Sequence, residues 1–376
     1  MSKLLPKTKG GVPWLHDRLI YLTVHGSRAY GTSTPTSDLD LKGVAIPPRE
    51  YFHGYLNQFA QAEFDEPDAV VYGIQKFMKL AADCNPNIIE VLWTDPSDHV
   101  YMTPMGEMLL EHREDFLSKK AKHTFSGYAM SQLKRIRSHR EWLLNPAEEE
   151  PKREDFGLPT MAKLSREQLG AVEKHVRQKV DEWEVDWDVV PYSERLAFRG
   201  AFENALIGMS LGTEEERWIS AARQVGLEEN FLELILRERR YRGARNNWKQ
   251  YHEWKRNRNP GRAKTEAEFG LDLKHAAHLV RLMRMGEEIL TTGKVIVKRP
   301  DAEELLAIRN GAWEYDDLIE WAERKDSELT RLYKESDVLP RQPDRKKLDE
   351  LCTTIVEEAL KYDSFTAQAT ERGWAP

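Results

Sequence analysis

The chain has 376 residues, of which 32% are charged, and a formal net charge of −7 at pH 7. This length is sufficient to bury a sizeable core and predicts two domains. The negative charge argues against a uniformly basic nucleic-acid-binding protein, although a local basic surface is compatible with it.

The two cysteines, Cys84 and Cys352, form neither a disulfide framework nor a zinc-binding pattern, which fits a reducing compartment. No apolar stretch follows Met1–Gly11 as a secretory signal would require, and none has the length of a membrane span. We therefore expect a soluble, cytoplasmic protein without a membrane partner.

The first predicted elements are two strands, Leu19–Val24 and Asp38–Ile46, joined by a turn region rich in Gly, Ser, Thr and Pro. Side chains alternate faces along a strand, so Asp38 and Asp40 are expected to point the same way, about 7 Å apart. Two carboxylates on one face repel each other unless a cation lies between them. Because Mg²⁺ prefers oxygen ligands, the pair predicts a magnesium site.

The turn supplies residues that suit a phosphate. Gly26 and Gly31 permit a positive φ, so that backbone N–H groups near Ser27 can face an anion. The Ser27 hydroxyl and the Arg28 guanidinium are then placed to hold phosphate oxygens. The same residue types also build ordinary polar hairpins. Their order, followed by a strand that carries the Asp pair, favours a phosphate-and-metal site.

These residues resemble the nucleotidyltransferase signature of the DNA polymerase β superfamily over roughly residues 15–95. A longer string resembles more narrowly the predicted nucleotidyltransferases of bacteria and phages in the RNA-ligase-associated group. That string reads His25-Gly26-Ser27-Arg28-Ala29-Tyr30-Gly31, then Ser37-Asp38-Leu39-Asp40-Leu41-Lys42-Gly43-Val44. The resemblance implies metal binding by Asp38 and Asp40. It implies nucleotide-binding roles for Gly26, Ser27, Arg28, Tyr30 and Ser37.

The next two predicted strands, Gln58–Phe64 and Asp68–Gly73, are expected to pair as a hairpin. Members of the superfamily carry a third carboxylate on a neighbouring strand, and the resemblance assigns this role to Asp68, with Glu63 and Glu66 as alternatives. A third carboxylate could bind a second metal ion or accept the proton of an attacking hydroxyl. Asp68 could instead only close the turn after Pro67.

Helices are predicted from Ile74 to about Cys84 and again after Asn85-Pro86, where Asn85 suits the N-cap and Pro86 the first turn. The segment resembles an Asn-Pro…Glu motif of the same family, but capping alone explains Asn85, and Glu90 is expected to be structural. Residues 105–144 also have helical periodicity. The acidic, proline-bounded stretch 146–155 is the best candidate for a linker.

Further helices are predicted at Ser165–Trp187 and Ser193–Met209, before the basic and aromatic segment Arg237–Lys264. Trp248, Tyr251 and Trp254 are spaced by three residues, which favours a helix face packed in a core. Some of the basic residues of the segment are expected to contact nucleic acid.

A later helix places Lys274, His278 and Arg281 on one stripe, where they could hold a triphosphate. His275 and His278, three residues apart, could alternatively bind a metal. The Lys-His-x-x-His-x-x-Arg pattern resembles the second motif of the same nucleotidyltransferase group, which implies a nucleotide-binding role for the stripe. The helices predicted beyond it, at 300–308, 315–333 and 344–362, are expected to be scaffold.

The sequence thus predicts an α+β protein. Residues 1–145 form a polymerase-β-like nucleotidyltransferase domain with a small, mostly antiparallel sheet and helices, and residues 160–376 form a larger α-helical domain that binds nucleotide and acceptor. The implied reaction moves NMP from an NTP to an acceptor hydroxyl, with two Mg²⁺ ions or Mn²⁺ in their place, and releases pyrophosphate. RNA is the favoured partner. Alternatives are a protein or small-molecule acceptor, or a catalytically silent nucleotide- or nucleic-acid-binding module.

Overall fold

The computed structural model describes residues 12–162, 165–181, 213–258, 268–365 and 368–371, together with the single positions 205, 209, 263 and 266. It divides into two compact units. One comprises Met1–Leu143 with Pro260–Pro376, and the other comprises Leu144–Asn259. This division by compactness differs from the predicted ranges 1–145 and 160–376, because the C-terminal helices pack with the N-terminal sheet instead of forming a body with the middle of the chain.

The first unit is built on one six-stranded sheet with the order β3-β4-β2-β1-β5-β6. Strands β2 and β4 are parallel, and the other neighbours are antiparallel, which confirms the predicted mixed, mostly antiparallel sheet. The predicted hairpin is the β3–β4 pair. The strands are β1 Leu19–His25, β2 Asp40–Ala45, β3 Gln61–Phe64, β4 Asp68–Gly73, β5 His99–Met102 and β6 Thr370–Glu371.

The helices of this unit come from both ends of the chain. From the N-terminal part they are α1 Gly26–Tyr30, α2 Glu50–His53, α3 Ile74–Ala82, α4 Pro86–Leu92, α5 Pro104–Glu111 and α6 Ala121–Leu144. From the C-terminal part they are α10 Leu273–Thr292, α11 Ala302–Arg309, α12 Tyr315–Glu335 and α13 Arg345–Ala359. Asn85 caps α4 as predicted, because its side chain accepts a hydrogen bond from the Asn87 N–H at 3.1 Å.

The sheet has an apolar layer on each face. Leu22, Val24 and Leu41 point to a smaller cluster on one face. The alternate residues, such as Tyr21 and Val44, point to a larger core shared with the helices. Asp40 and Lys42 alternate with Leu41, so they lie on the helix-covered face. This face therefore carries the predicted acidic residue of β2.

The second unit contains α7 Arg166–Asp181, α8 Glu214–Gln224 and α9 Glu229–Asn257 around an apolar cluster of its own. In the basic segment, Tyr251 is buried and Trp248 and Trp254 are half-buried, in line with the core position predicted for these aromatics. Most of the predicted helix Ser193–Met209 lies outside the described residues. Among the helices that are described, none combines the length and the apolar character needed to cross a membrane.

Candidate active site

Three neighbouring strands place His25, Asp40 and Asp68 side by side at one end of the sheet. His25 pairs with Asp40 across β1 and β2, and Asp40 pairs with Asp68 across β2 and β4. Adjacent strands lie about 4.8 Å apart, and residues at paired positions share a face. The structure therefore brings two of the predicted metal ligands, Asp40 and Asp68, into contact range.

The turn after β1 is shaped around the carboxylate of Asp40. Gly26 has a φ of +66°, and a Cβ atom at this position would lie 1.9 Å from Oδ2 of Asp40. Only glycine accommodates both the left-handed backbone and this close approach. The Gly26-Ser27 turn is thus in direct contact with Asp40 of β2. These are the two features that the family resemblance linked in the sequence.

Other carboxylates lie close to the carboxyl group of Asp40. The pKa of its carboxyl is raised, chiefly by burial and then by the negative charges of Asp68 and Asp38, while Lys274 and Lys42 lower it. Asp38 itself is exposed and precedes β2, which begins at Asp40 rather than at Asp38 as predicted. Three carboxylates therefore converge without being arranged on one strand.

The alternatives for the third carboxylate lie farther from Asp40. Glu63 lies on β3, where it pairs with Val70 of β4, and β4 separates β3 from β2. Glu63 also accepts a hydrogen bond from Gln61. Glu66 is exposed in the turn before β4. The register thus favours Asp68 over both.

Arg28 and Ser37 organise the loop that carries Asp38. The Arg28 guanidinium donates to the carbonyl oxygens of Ser37 at 3.3 Å and Asp38 at 3.4 Å. The Ser37 hydroxyl accepts from the Thr34 N–H at 2.9 Å. Ser27 is half-buried in α1, and its carbonyl accepts from the Thr32 N–H at 2.8 Å. The phosphate-binding roles of these residues stay predictions.

Lys274 reaches the site from the other end of the chain. It is exposed at the start of α10, and its positive charge lowers the pKa of Asp40. A cation near the carboxylates, on the side open to solvent, is placed to meet a phosphate.

A buried polar network lies beneath the site and involves Arg281, Glu90, Tyr30 and His25. Nη1 of Arg281 donates to Oε1 of Glu90 at 2.6 Å, and the Tyr30 hydroxyl donates to Oε2 at 2.5 Å. Nε2 of His25 lies 3.4 Å from the same Oε2. The Arg281 guanidinium also lies 3.8 Å from the centre of the Tyr30 ring. The network connects β1, α1 and α4 with α10, and Glu90 is fully buried within it.

Burial and charge set the ionisation states in this network. Burial raises the pKa of Glu90, but the positive charge of Arg281 and the adjacent His25 outweigh it and hold that pKa far below its usual range. Burial lowers the pKa of His25 to about 4 and that of His278 to about 3, with further lowering by Lys42 and Arg281 respectively. The network therefore contains one ion pair and neutral histidines.

Lys42 is a member of the site that the sequence reasoning did not identify. Burial lowers its pKa to about 8, and its Nζ donates to the Asn87 carbonyl at 3.3 Å. Its position could have been found, because Lys42 follows Asp40 by two residues and so shares its face of β2. His25 could have been found in the same way, as the last residue of β1.

Residues 8–150 match the model of the RlaP family, described as "RNA repair pathway DNA polymerase beta family". This match confirms the resemblance found in the sequence and supports a nucleotidyltransferase in general. The chain is also 31% identical over 119 residues to an uncharacterized 38.9 kDa protein in the nrdC-mobD intergenic region of Enterobacteria phage T4. That alignment covers 28% of this chain and 35% of the phage protein. No solved structure matches the chain.

Proposed function

We propose that this polymerase-β-type chain is a metal-dependent nucleotidyltransferase that transfers NMP from an NTP to a hydroxyl of RNA. The observation that carries the proposal is the pairing of Asp40 with Asp68 on parallel strands, against a glycine turn that leaves room for the Asp40 carboxylate. Lys274 adds a cation on the same side.

The donor set fits divalent metal ions. Asp38, Asp40 and Asp68 offer only carboxylate oxygens, and their like charges raise the pKa of Asp40, so a cation among them would relieve a repulsion. Such hard oxygen ligands suit Mg²⁺, with Mn²⁺ as a substitute. When bound, the metal would stabilise negative charge on the phosphate oxygens.

The chain's own residues would supply positioning and proton transfer. Lys274 would hold the triphosphate by charge, with Ser27 as a hydroxyl donor beside Gly26. Asp68 would accept the proton of the attacking hydroxyl. That hydroxyl oxygen forms its bond to the α-phosphorus as the bond to pyrophosphate breaks, and the pyrophosphate leaves with the electron pair.

The sequence predicted that His278 and Arg281 bind phosphate together with Lys274. In this proposal they do not. Arg281 is only 3% exposed and forms an ion pair with Glu90, so we assign it to positioning α10 and not to binding phosphate. Nδ1 of His278 lies 3.4 Å from Nη2 of Arg281, within the same network. Lys274 is then the residue of the stripe that we assign to the nucleotide.

RNA as the acceptor is supported by the description of the matched family. The basic helix α9 lends less support than the sequence suggested, because several of its arginines form ion pairs with acidic residues of the same unit. These pairs are Arg240–Glu215, Arg242–Glu173 and Arg245–Glu150. RNA that contacted α9 would have to compete with these acidic partners.

The test is nucleotide transfer with each of four labelled NTPs, Mg²⁺, and bulk tRNA, cleaved RNA or no acceptor. We expect label on RNA with release of pyrophosphate, lost in Asp40→Asn and Asp68→Asn and retained in Glu63→Gln. Glu63→Gln is the matched control, because it removes a nearby carboxylate from the strand that does not adjoin β2.

Each other outcome selects a different function. Label on the protein would indicate adenylylation, and label on a small molecule would indicate a metabolite acceptor. RNA binding without pyrophosphate release would indicate a silent binding module. Full transfer by a folded Asp40→Asn protein would refute the assignment of the metal ligands.

A further inference from the structure

A second group of potential metal ligands lies in the first unit, outside the carboxylates of the candidate active site. It contains His139 from α6, Asp272 at the N-cap of α10 and His275 from the first turn of α10. Among the residues that the structure describes, one ligand atom from each of the three lies within 4.8 Å of the others. Two of the three donors are imidazole nitrogens, which distinguishes this group from the carboxylates around Asp40.

The distances are close to those of a metal site. Oδ2 of Asp272 is hydrogen-bonded to Nδ1 of His275 at 2.6 Å and lies 4.0 Å from Nδ1 of His139. A bound metal would replace this hydrogen bond. Around a tetrahedral zinc ion, two such donors lie about 3.4 Å apart. These two separations therefore differ from that value by less than about 1 Å, and all three donor atoms lie within 4.8 Å of one another. Rotations of half-buried histidine rings can supply such a change.

The surroundings hold these side chains in place. Oδ1 of Asp272 accepts a hydrogen bond from the His275 N–H at 3.0 Å, so helix capping uses this oxygen and Oδ2 faces the histidines. The His139 ring stacks on Trp142, with ring centres 5.6 Å apart. Preorganised ligands of this kind, oriented by neighbouring groups, are typical of metal sites.

A second buried carboxylate, that of Glu266, lies beside Asp272. Asp272 shares a hydrogen bond with Glu266, and both residues are 3% exposed. Two buried carboxylates in contact need either a shared proton or a cation. The histidines beside them provide the other ligands of a cation site.

We propose that His139, Asp272 and His275 bind a divalent transition metal of the zinc type, with Glu266 or water completing its coordination. Imidazole nitrogen favours zinc-type ions over Mg²⁺, which prefers oxygen. The metal would connect α6 to the N-terminal turn of α10. Because Lys274 lies between Asp272 and His275 in the chain, the metal would also fix the turn that carries the proposed phosphate-binding lysine.

The test uses the full-length protein, purified without a histidine tag and dialysed free of metal. Zinc is added in calorimetric titrations, and the bound metal is measured by elemental analysis after gel filtration. We expect one zinc ion per chain, retained in the presence of excess Mg²⁺. Binding should be lost in His139→Ala and His275→Ala. It should persist in His112→Ala, whose half-exposed histidine pairs with Asp115 elsewhere on the surface.

Two further measurements separate this site from the active site and from a folding defect. Asp40→Asn should abolish nucleotide transfer and leave zinc binding intact. In Mg²⁺-free buffer, zinc should raise the melting temperature of the wild-type protein and leave that of folded His139→Ala unchanged. A wild-type protein that binds no zinc would overturn the proposal. Zinc binding that survives His139→Ala and His275→Ala, or that Mg²⁺ displaces, would also overturn it.

Discussion

Replacing Gly26 with alanine tests whether the turn and Asp40 form one site. The new methyl carbon would lie 1.9 Å from Oδ2 and 2.8 Å from Cγ of Asp40, whereas ordinary contacts begin at 3.4 Å. The carboxylate oxygen must therefore retreat by about 1.5 Å. A displacement of about 1 Å in a catalytic constellation can cost about 100-fold in rate. We expect Gly26→Ala to lose at least about 100-fold of its nucleotide-transfer activity.

The stability cost is separable from this loss. Gly26 has a φ of +66°, so alanine at this position pays about 1–2 kcal/mol for the left-handed backbone. Gly31 provides the matched control, because its φ is +74° and its Cβ would meet only Ala302, at 3.7 Å. Gly31→Ala therefore carries the same backbone strain without the collision with Asp40.

The assay compares the two variants in transfer rate and in the free energy of unfolding from urea titrations. Gly31→Ala should lose about 1–2 kcal/mol of stability, and Gly26→Ala at least as much, because its methyl group also displaces Asp40. Only Gly26→Ala should lose activity strongly and bind Mn²⁺ more weakly. Equal activity of the two folded variants would refute the inference that the Gly26 cavity positions the Asp40 carboxylate.

Three other predictions concern α10 and the buried network. Lys274→Gln removes a charge-assisted phosphate contact of about 1.5–3 kcal/mol and should weaken NTP binding by roughly 10- to 100-fold, as measured by competition with a fluorescent nucleotide. Arg281→Met leaves Glu90 buried without its cation and should cost about 3–5 kcal/mol in urea unfolding, and a second change of Glu90→Leu should restore most of this. His25 and His278 stay neutral in the folded chain, with pKa values of about 4 and about 3 against 6.5 in the unfolded chain. Below pH 6.5 the unfolded state therefore binds protons that the folded state does not, and the free energy of unfolding should fall from pH 6.5 to about 4. His25→Phe should make that fall shallower, and an unchanged slope would contradict the reasoning.

The local features of the site could be predicted from sequence because they depend on short-range patterns. The strand before Gly26, the strand that carries Asp40 and the hairpin that ends at Asp68 all follow from alternation and turn residues. The resemblance then joined them into a nucleotidyltransferase signature. The parallel pairing of β2 with β4, which places Asp68 beside Asp40, has no local signal, because it depends on the path of the intervening segment.

The long-range contacts explain what the sequence reasoning did not find. Arg281 fits a phosphate-binding stripe by its spacing, but its partner Glu90 lies 191 residues away, and burial decides its role. The division of the chain into compact units also depends on long-range contacts. A polar, proline-bounded stretch near 146–155 predicts a boundary, and the structure begins its second unit at Leu144. Nothing local indicates that Pro260–Pro376 returns to the first unit.

This return of the chain has a consequence for the isolated N-terminal segment. The matched family region, residues 8–150, contains Asp38, Asp40 and Asp68, but it lacks Lys274 and the cation that neutralises Glu90. A buried carboxylate without its partner costs several kcal/mol, which is a large fraction of the stability of a domain. The apolar core that α10 shares with the sheet would also be exposed.

We therefore expect residues 1–145 alone to fold poorly, although they include every strand of the sheet except the short β6. Expression of 1–145 should give a chain without a cooperative urea transition, and co-expression with 260–376 should restore one. Glu90→Leu should partly rescue 1–145, because it removes the charge that Arg281 neutralises in the full chain. A cooperative transition of unmodified 1–145, equal in midpoint to that of the full chain, would show that α10 contributes no stability to the sheet. In that case α10 would contribute Lys274 to the candidate site, and the ion pair of Arg281 with Glu90 would serve only to attach the helix.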